Sequence, residues 1–203
     1  VEKSFSLCTT NVSHIGYAKE IGALMARSAK ERGTGIAERS AAYIEKKILE
    51  GNAIIALSPE EVLAGFCYIE KWEHGKFVAN SGLIIQHQFR NMGLAKKIKK
   101  AILKLSKQKY PKAKIFGITT SFAVMKINSE LGYKPVTFSE LTNHDEFWNA
   151  CKGCKNYDIL QRNNREMCLC TAMVHQVKEN KLQKLNKQIK VGAVLNKLIK
   201  SKK

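Results

Sequence analysis

Short apolar runs alternate along the chain with longer segments of helical spacing, and the alternation divides it into elements. Phe5 to Thr9 reads as an opening strand. His14 to Glu31 carries Ile15, Ala18, Ile21, Ala23, Leu24, Met25 and Ala26 at helical intervals, and Gly33-Thr34-Gly35 ends that helix. A second helix is expected from Ala37 to Leu49, with Ala41, Ile44, Ile48 and Leu49 apolar, stopped by Gly51-Asn52. A hairpin follows: Ala53 to Leu57, the turn Ser58 to Glu61, then Val62 to Lys71. Phe77 to Ile85 is the next strand, and a helix runs to Gln108. Lys114 to Thr120 is a buried strand, Phe122 to Leu131 a helix, and Tyr133 to Phe138 another strand. Ser139 to Arg165 is less regular, and Met167 to Val174 is available as a final strand. From Gln176 onward, apolar residues from Leu182 to Ile199 recur at partly helical spacing in a lysine-rich background, which predicts an amphipathic extension.

The most informative junction is Ile84-Ile85-Gln86-His87-Gln88-Phe89-Arg90-Asn91-Met92-Gly93-Leu94-Ala95. An apolar strand passes through a polar loop into a helix whose start carries a glycine and a small residue. Backbone N–H groups at such a start lack intrahelical partners, and the helix dipole favours an anion beside them. A phosphate-bearing ligand is the expected occupant.

The 203 residues suit one domain with an appendage. Lysine and arginine outnumber aspartate and glutamate by 35 to 17, a net charge of +18 that is compatible with nucleic acid, an anionic membrane surface or an anionic cofactor and substrate. Val177 to Lys203 holds nine lysines and one acidic residue, Glu179, so the extension accounts for +8 and the body for +10. Nonspecific nucleic-acid contact through this tail is therefore one expectation. No run is long and apolar enough to cross a bilayer, and Val1 to Thr10 lacks a basic, apolar leader. The expectation is a cytoplasmic protein with no membrane partner.

The spacing Arg90-x-x-Gly93-x-Ala95, its strand and helix context, and Leu131-Gly132-Tyr133 further on together resemble the GCN5-related N-acetyltransferase (GNAT) family. The resemblance covers Phe5 to Phe138. It implies an α/β (α+β) GNAT acyl-CoA N-acyltransferase fold, a mixed central sheet flanked by helices. On that reading residues 1–175 form the domain, 139–170 a cysteine-containing segment within it, and 176–203 the basic extension. It also implies acetyl-CoA as cofactor, held by Arg90, Asn91, Met92, Gly93, Leu94, Ala95 and Lys96 at the pyrophosphate. Leu83, Ile84 and Ile85 would align the pantetheine through their main chain, where Phe77 to Ile85 and Lys114 to Thr120 splay apart.

Two positions depart from the family pattern. A tyrosine that protonates the leaving thiolate in many relatives is matched by Asn128, and a glutamate base is matched by Ala79. Glu70, Glu73 and His74 are the candidate substitutes for the base, directly or through a water held by Asn80 or Ser81. Gly33 to Ser40, Tyr43-Ile44, Gly51 to Ala56 and Ile115 to Thr120 resemble the N-acetylglutamate synthase branch. That resemblance implies Arg39 as a clamp for the carboxylate of an amino-acid substrate, beside the plainer reading of a surface arginine. The interval from Thr120 to Gly132 is two residues longer than the branch pattern.

Of six cysteines, Cys8 and Cys67 lie in apolar strand-like settings, while Cys151-x-x-Cys154 and Cys168-x-Cys170 lie close together. Four thiolates suit tetrahedral zinc. A C-x-C pair is a less usual zinc half-site than C-x-x-C, so reduced structural thiols and a redox pair stand beside a structural zinc. The function expected is acetyl-CoA-dependent N-acetyl transfer to a small amino acid, with L-glutamate leading, as in the first step of arginine biosynthesis. A homodimer is an open expectation. The alternatives are a degenerate acyl-CoA-binding or nucleic-acid-associated module, and transfer to a protein or polyamine amine.

Overall fold

The structure is a computed structural model, and residues 4–33 and 39–176 are described. Strand β1 (Ser6–Thr9) is followed by a 3-10 turn at Val12–Tyr17 and helix α1 (Ala18–Arg32). The helix expected from His14 thus begins as a tighter turn. Asn11 explains it: its side chain accepts from the Ser13 amide while His14 reaches back to the Asn11 amide, a reciprocal cap that fixes the entry ahead of α1. Helix α2 spans Ala41–Leu49 with Ser40 as its N-cap. The expected start at Ala37 and the rest of the Thr34 to Glu38 motif lie outside the described residues, as does the extension from Val177.

Strands β2 (Ala53–Leu57), β3 (Leu63–Trp72) and β4 (Phe77–Ile85) form an antiparallel meander with β1. Helix α3 (Leu94–Lys109) returns the chain to β5 (Lys114–Thr119), which lies parallel to β4. Helix α4 (Phe122–Glu130) leads to β6 (Tyr133–Val136), shorter than expected because Phe138 enters a 3-10 turn. Two short helices, α5 (Asp145–Asn149) and α6 (Tyr157–Arg162), occupy the irregular segment. Strand β7 (Thr171–His175) then inserts between β5 and β6, antiparallel to both, giving the order β1-β2-β3-β4-β5-β7-β6.

Both faces of the sheet are covered. Ile98, Ile102 and Leu103 on α3 pack on one, with Ile54, Cys67, Ile69 and Val78. On the other, Ile21, Leu24 and Met25 of α1 and Ile44 and Ile48 of α2 cover Ile55, Phe66 and Tyr68. A third cluster carries the segment after β6: Phe147 and Trp148 of α5 meet Trp72, Phe116 and Phe138. Phe147 lies edge-on to Trp72 at 5.1 Å and to Phe116 at 5.2 Å, so aromatic packing seats α5 against the sheet. No helix of the described residues is long and apolar enough to cross a membrane.

Two irregularities in β4 open the middle of the sheet. Pairing with β3 passes from Phe66↔Ile84 to Tyr68↔Ser81, which puts one extra residue into β4. Gly82 lies in that bulge at φ +64, and a Cβ there would stand 2.1 Å from the Tyr68 ring. Only a glycine suits both the backbone and the ring. Pairing between β4 and β5 is confined to Phe77↔Lys114, Val78↔Ile115 and Ala79↔Phe116. Beyond Ala79 the two strands part.

Candidate active site

The loop after β4 makes a 3-10 turn at His87–Phe89, anchored by the buried Phe89 ring edge-on to Phe5 at 5.4 Å. Asn91 (φ +65) and Gly93 (φ +71) then adopt left-handed conformations and aim the chain into α3. Gly93 is the N-cap, and no side chain caps the helix. The Lys97 amide bonds the Gly93 carbonyl at 3.3 Å, so the amides of Leu94, Ala95 and Lys96 have no intrahelical partner. A Cβ on Gly93 would meet nothing within 4 Å, so the space beside this helix start is open. Its amides fit a pyrophosphate.

The other loop residues have distinct surroundings. Arg90 donates to the Ile85 carbonyl at 3.4 Å and to Glu31 at 3.3 Å, bracing the loop against β4 and α1. Lys96 pairs with Glu130 at 2.7 Å, Leu94 is buried in the core, and Met92 is exposed. Of the three residues expected to align the pantetheine, Leu83 lines the cleft between β4 and β5. Ile84 packs in the core under α1, and Ile85 packs against the α3 side.

That cleft encloses about 1300 Å³, its open mouth included, and runs through the parting of the two strands. At its α3 end lie Asn80, Lys99, Gly117 and Asn128. At the other lie Arg39, Tyr68, Glu70 and Trp72, and beyond them Phe147 and the cysteines. Past Ala79 the β4 edge has no partner strand on the β5 side, so its main-chain groups face the cleft. An extended amide-bearing arm fits there as an added strand would.

Glu70 enters the cleft from β3. Antiparallel pairing sets it directly across from Ala79, and directly opposed residues project on the same face of a sheet. Burial pushes its carboxyl up to about 7 against the opposing pull of the Arg39 guanidinium. Lys47 donates to Glu70 Oε2 at 2.7 Å, and burial pushes this ammonium down to about 8. Mutual attraction acts against both shifts and favours the charged pair. Among the described residues Lys47 alone bonds this carboxylate, which leaves Oε1 to accept a proton. Arg39 donates from Nε to the Tyr68 hydroxyl at 3.1 Å and lies over the Tyr43 ring at 5.1 Å.

Glu73 and His74 are not brought here. β3 continues to Trp72, which carries both into the hairpin turn at the far end of β4, in a separate depression beside Lys109 and Tyr110. There Glu73 accepts from Thr142 at 2.8 Å and from Lys76 at 3.2 Å, and the Thr142 hydroxyl holds its carboxyl below the usual range. Asn128, 1% exposed, contacts Met173 Sδ at 3.7 Å through Nδ2, while its Oδ1 has no partner. Nearby, Tyr133 donates to Asn80 Oδ1 at 2.8 Å, and Asn80 donates to Ser106 at 2.6 Å.

Cys151, Cys154, Cys168 and Cys170 all line the cleft. The chain bends at Leu169 and Cys170 and is not strand there, and Cys168 and Cys170 both pack on the aromatic cluster with Cys151. Among the described residues, however, no three ligating side chains are placed to hold a metal ion, so the structural-zinc expectation finds no site. Burial pushes the Cys151 thiol up to about 11 and the Cys170 thiol up to about 12. Sequence reasoning passed over Tyr68, Lys47, Lys99 and Asn156, all buried and polar or charged. For Tyr68 a signal existed, because strand period two places Tyr68, Glu70 and Trp72 on one face, where a carboxylate between two aromatics is anomalous.

A mixed sheet that parts beside an uncapped helix start defines the acyl-CoA N-acyltransferase class of fold. Solved structures agree. An N-acetylglutamate synthase from Neisseria gonorrhoeae, complexed with coenzyme A and N-acetyl-glutamate, superposes with a TM-score of 0.61 at 17% identity over 88% of this chain. The chain spans 36% of that protein's length. Rv2747 from Mycobacterium tuberculosis, in complex with CoA, gives 0.59 at 10% identity, covering 85% of this chain and 99% of its own. A GNAT superfamily phosphinothricin acetyltransferase from Sinorhizobium meliloti, in complex with AcCoA, gives 0.57 at 12% identity, covering 88% and 91%. The fold is therefore that of the GNAT acetyltransferases. No protein-family model and no curated protein matches the sequence.

Proposed function

We propose that this chain transfers an acetyl group from acetyl-CoA to the amino group of a small amino acid, with L-glutamate first among acceptors. One observation carries the reading: a single cleft joins the parted strands on one side of the sheet to a half-buried carboxylate and a guanidinium on the other. Acetyl-CoA, when bound, supplies an acyl group activated as a thioester. The Leu94 to Lys96 amides hold the pyrophosphate, and the β4 edge past Ala79 holds the arm. Glu70 takes a proton from the incoming ammonium, and Lys47 fixes the carboxylate that does so. Main-chain N–H groups of that edge donate to the acyl oxygen as negative charge builds on it.

Arg39 supports a carboxylate-bearing acceptor, since a guanidinium binds a carboxylate by two parallel hydrogen bonds. Its bond to Tyr68 and its stacking on Tyr43 hold it at the acceptor end. The N-acetyl-glutamate bound to the Neisseria synthase supports glutamate, and arginine biosynthesis as the setting. The test is a panel of amino acids with acetyl-CoA, read as free thiol release. Turnover highest on glutamate is the expected result. Turnover confined to amines that lack a carboxylate would overturn the acceptor class.

A further inference from the structure

Lys99 of α3 is 1% exposed and lines the cleft where β4 and β5 part. Among the described residues it makes no ion pair. The groups that face it are the Tyr133 ring of β6, with its centroid 5.4 Å from Nζ, and the Cys67 thiol of β3. Neither carries charge near neutrality, because burial pushes the Tyr133 hydroxyl far up and the Cys67 thiol up to about 11. The remaining cleft neighbours on this side, Asn80, Ser81, Gly117 and Asn128, are neutral. A buried ammonium without an anion is costly, and a ligand that brings negative charge beside it would relieve that cost. Asn128 Oδ1, buried and without a partner on the same side, is a second group built to meet a ligand.

We propose that Lys99 is the proton donor to the coenzyme A sulfur, the task for which Asn128 has no acidic group. The proposal rests on the acetyltransferase reading. As the carbon–sulfur bond breaks and its electron pair passes to sulfur, Lys99 Nζ gives that sulfur a proton. The resulting amine regains a proton from solvent. The acceptor nitrogen loses two protons, one taken by Glu70 before attack and one lost to solvent as the amide forms, and Glu70 returns its own to solvent, so one proton is released per turnover. Burial lowers the Lys99 pKa, and a weaker base is a stronger acid toward a thiolate.

The decisive measurement is the titration of the coenzyme A thiol in its complex with the full chain, followed by the ultraviolet absorbance of the thiolate. A neighbouring ammonium lowers that thiol by about one pH unit or more relative to free coenzyme A. Lys99→Met, similar in length and uncharged, abolishes the lowering and cuts kcat about a hundredfold, with little change in KM for acetyl-CoA. Lys99→Arg keeps the lowering, since its charge remains, and still loses kcat because a guanidinium does not give up its proton. Desulfo-coenzyme A binds the wild type and Lys99→Met equally. A thiol that titrates in the wild-type complex as it does in free coenzyme A overturns the proposal, whatever the variants do. Failure of the wild-type chain to bind coenzyme A at all overturns the acetyltransferase reading instead, and the proposal with it.

Discussion

Glu70 on β3 and Ala79 on β4 face each other across an antiparallel pair, and their side chains leave the sheet on the same side. The carboxylate missing at Ala79 is thus present one strand over, above the same patch of cleft. The small Ala79 side chain leaves that patch open. In the proposed reaction the acid–base position is filled from the neighbouring strand.

The pH profile follows from that placement. Glu70 must be ionised to accept a proton, and its carboxyl is pushed up to about 7. The ratio kcat/KM therefore rises tenfold per pH unit below about 7 and levels above it. Glu70→Gln removes this limb and lowers kcat by about 10²- to 10⁴-fold. Initial rates across pH 5 to 9 at saturating acetyl-CoA, compared between the two proteins, check it; an unchanged acid limb in Glu70→Gln would assign the ionisation elsewhere.

Arg39 is expected to act on the acceptor and not on the cofactor. Arg39→Met raises KM for a carboxylate-bearing acceptor by about 10- to 100-fold, the loss of one charge-assisted pair, and leaves acetyl-CoA affinity unchanged. Steady-state kinetics with each substrate varied in turn separate the two. An equal rise in both constants would mean that Arg39 supports the fold and holds no acceptor.

Charge and backbone strain are separable at Gly93. Asparagine tolerates the left-handed conformation there, and a side chain meets open space. Gly93→Asn should weaken coenzyme A binding modestly, whereas Gly93→Asp, nearly the same shape with a negative charge beside the open amides, should weaken it by a further factor of about ten. Calorimetric titration of both variants with coenzyme A is the measurement. Equal affinities would remove the pyrophosphate from this helix start.

Gly82 is the structural counterpart. Gly82→Ala combines positive φ with a Cβ 2.1 Å from the Tyr68 ring. Strain and overpacking of this kind cost about 2–4 kcal/mol together. The expected loss is several degrees in thermal midpoint. Adding Tyr68→Ala should recover part of it, because the two changes share one contact. Purely additive midpoints would show that the ring is not what excludes the side chain.

The legible parts of the fold were those with long periodic signals. Helix α3 could be read from Ile98, Ile102 and Leu103, and the anion-accepting loop from Gly93, because each depends on neighbours within a few residues. The same periodicity also placed Lys99 one turn before Leu103, on the buried face, but a run of lysines reads as solvated unless each position is assigned its side. Less local features were hidden. Choosing Glu70 over Glu73 and His74 required knowing that β3 runs to Trp72 and turns away from the parting of the strands. A bend at Leu169 and Cys170 stands where a strand was expected, and the place of β7 depends on pairings with residues 36 to 58 positions earlier.

The placement of β7 governs the order in which a growing chain can finish its sheet. β5 and β6 are not hydrogen-bonded to each other, so neither completes an edge until Thr171–His175 has been synthesised and threaded between them. A nascent chain halted within the cysteine-bearing segment would carry two open strand edges, and such edges template association between copies. The segment that carries α5 and α6 is therefore also the stretch of synthesis during which the facing edges of β5 and β6 stay unpaired.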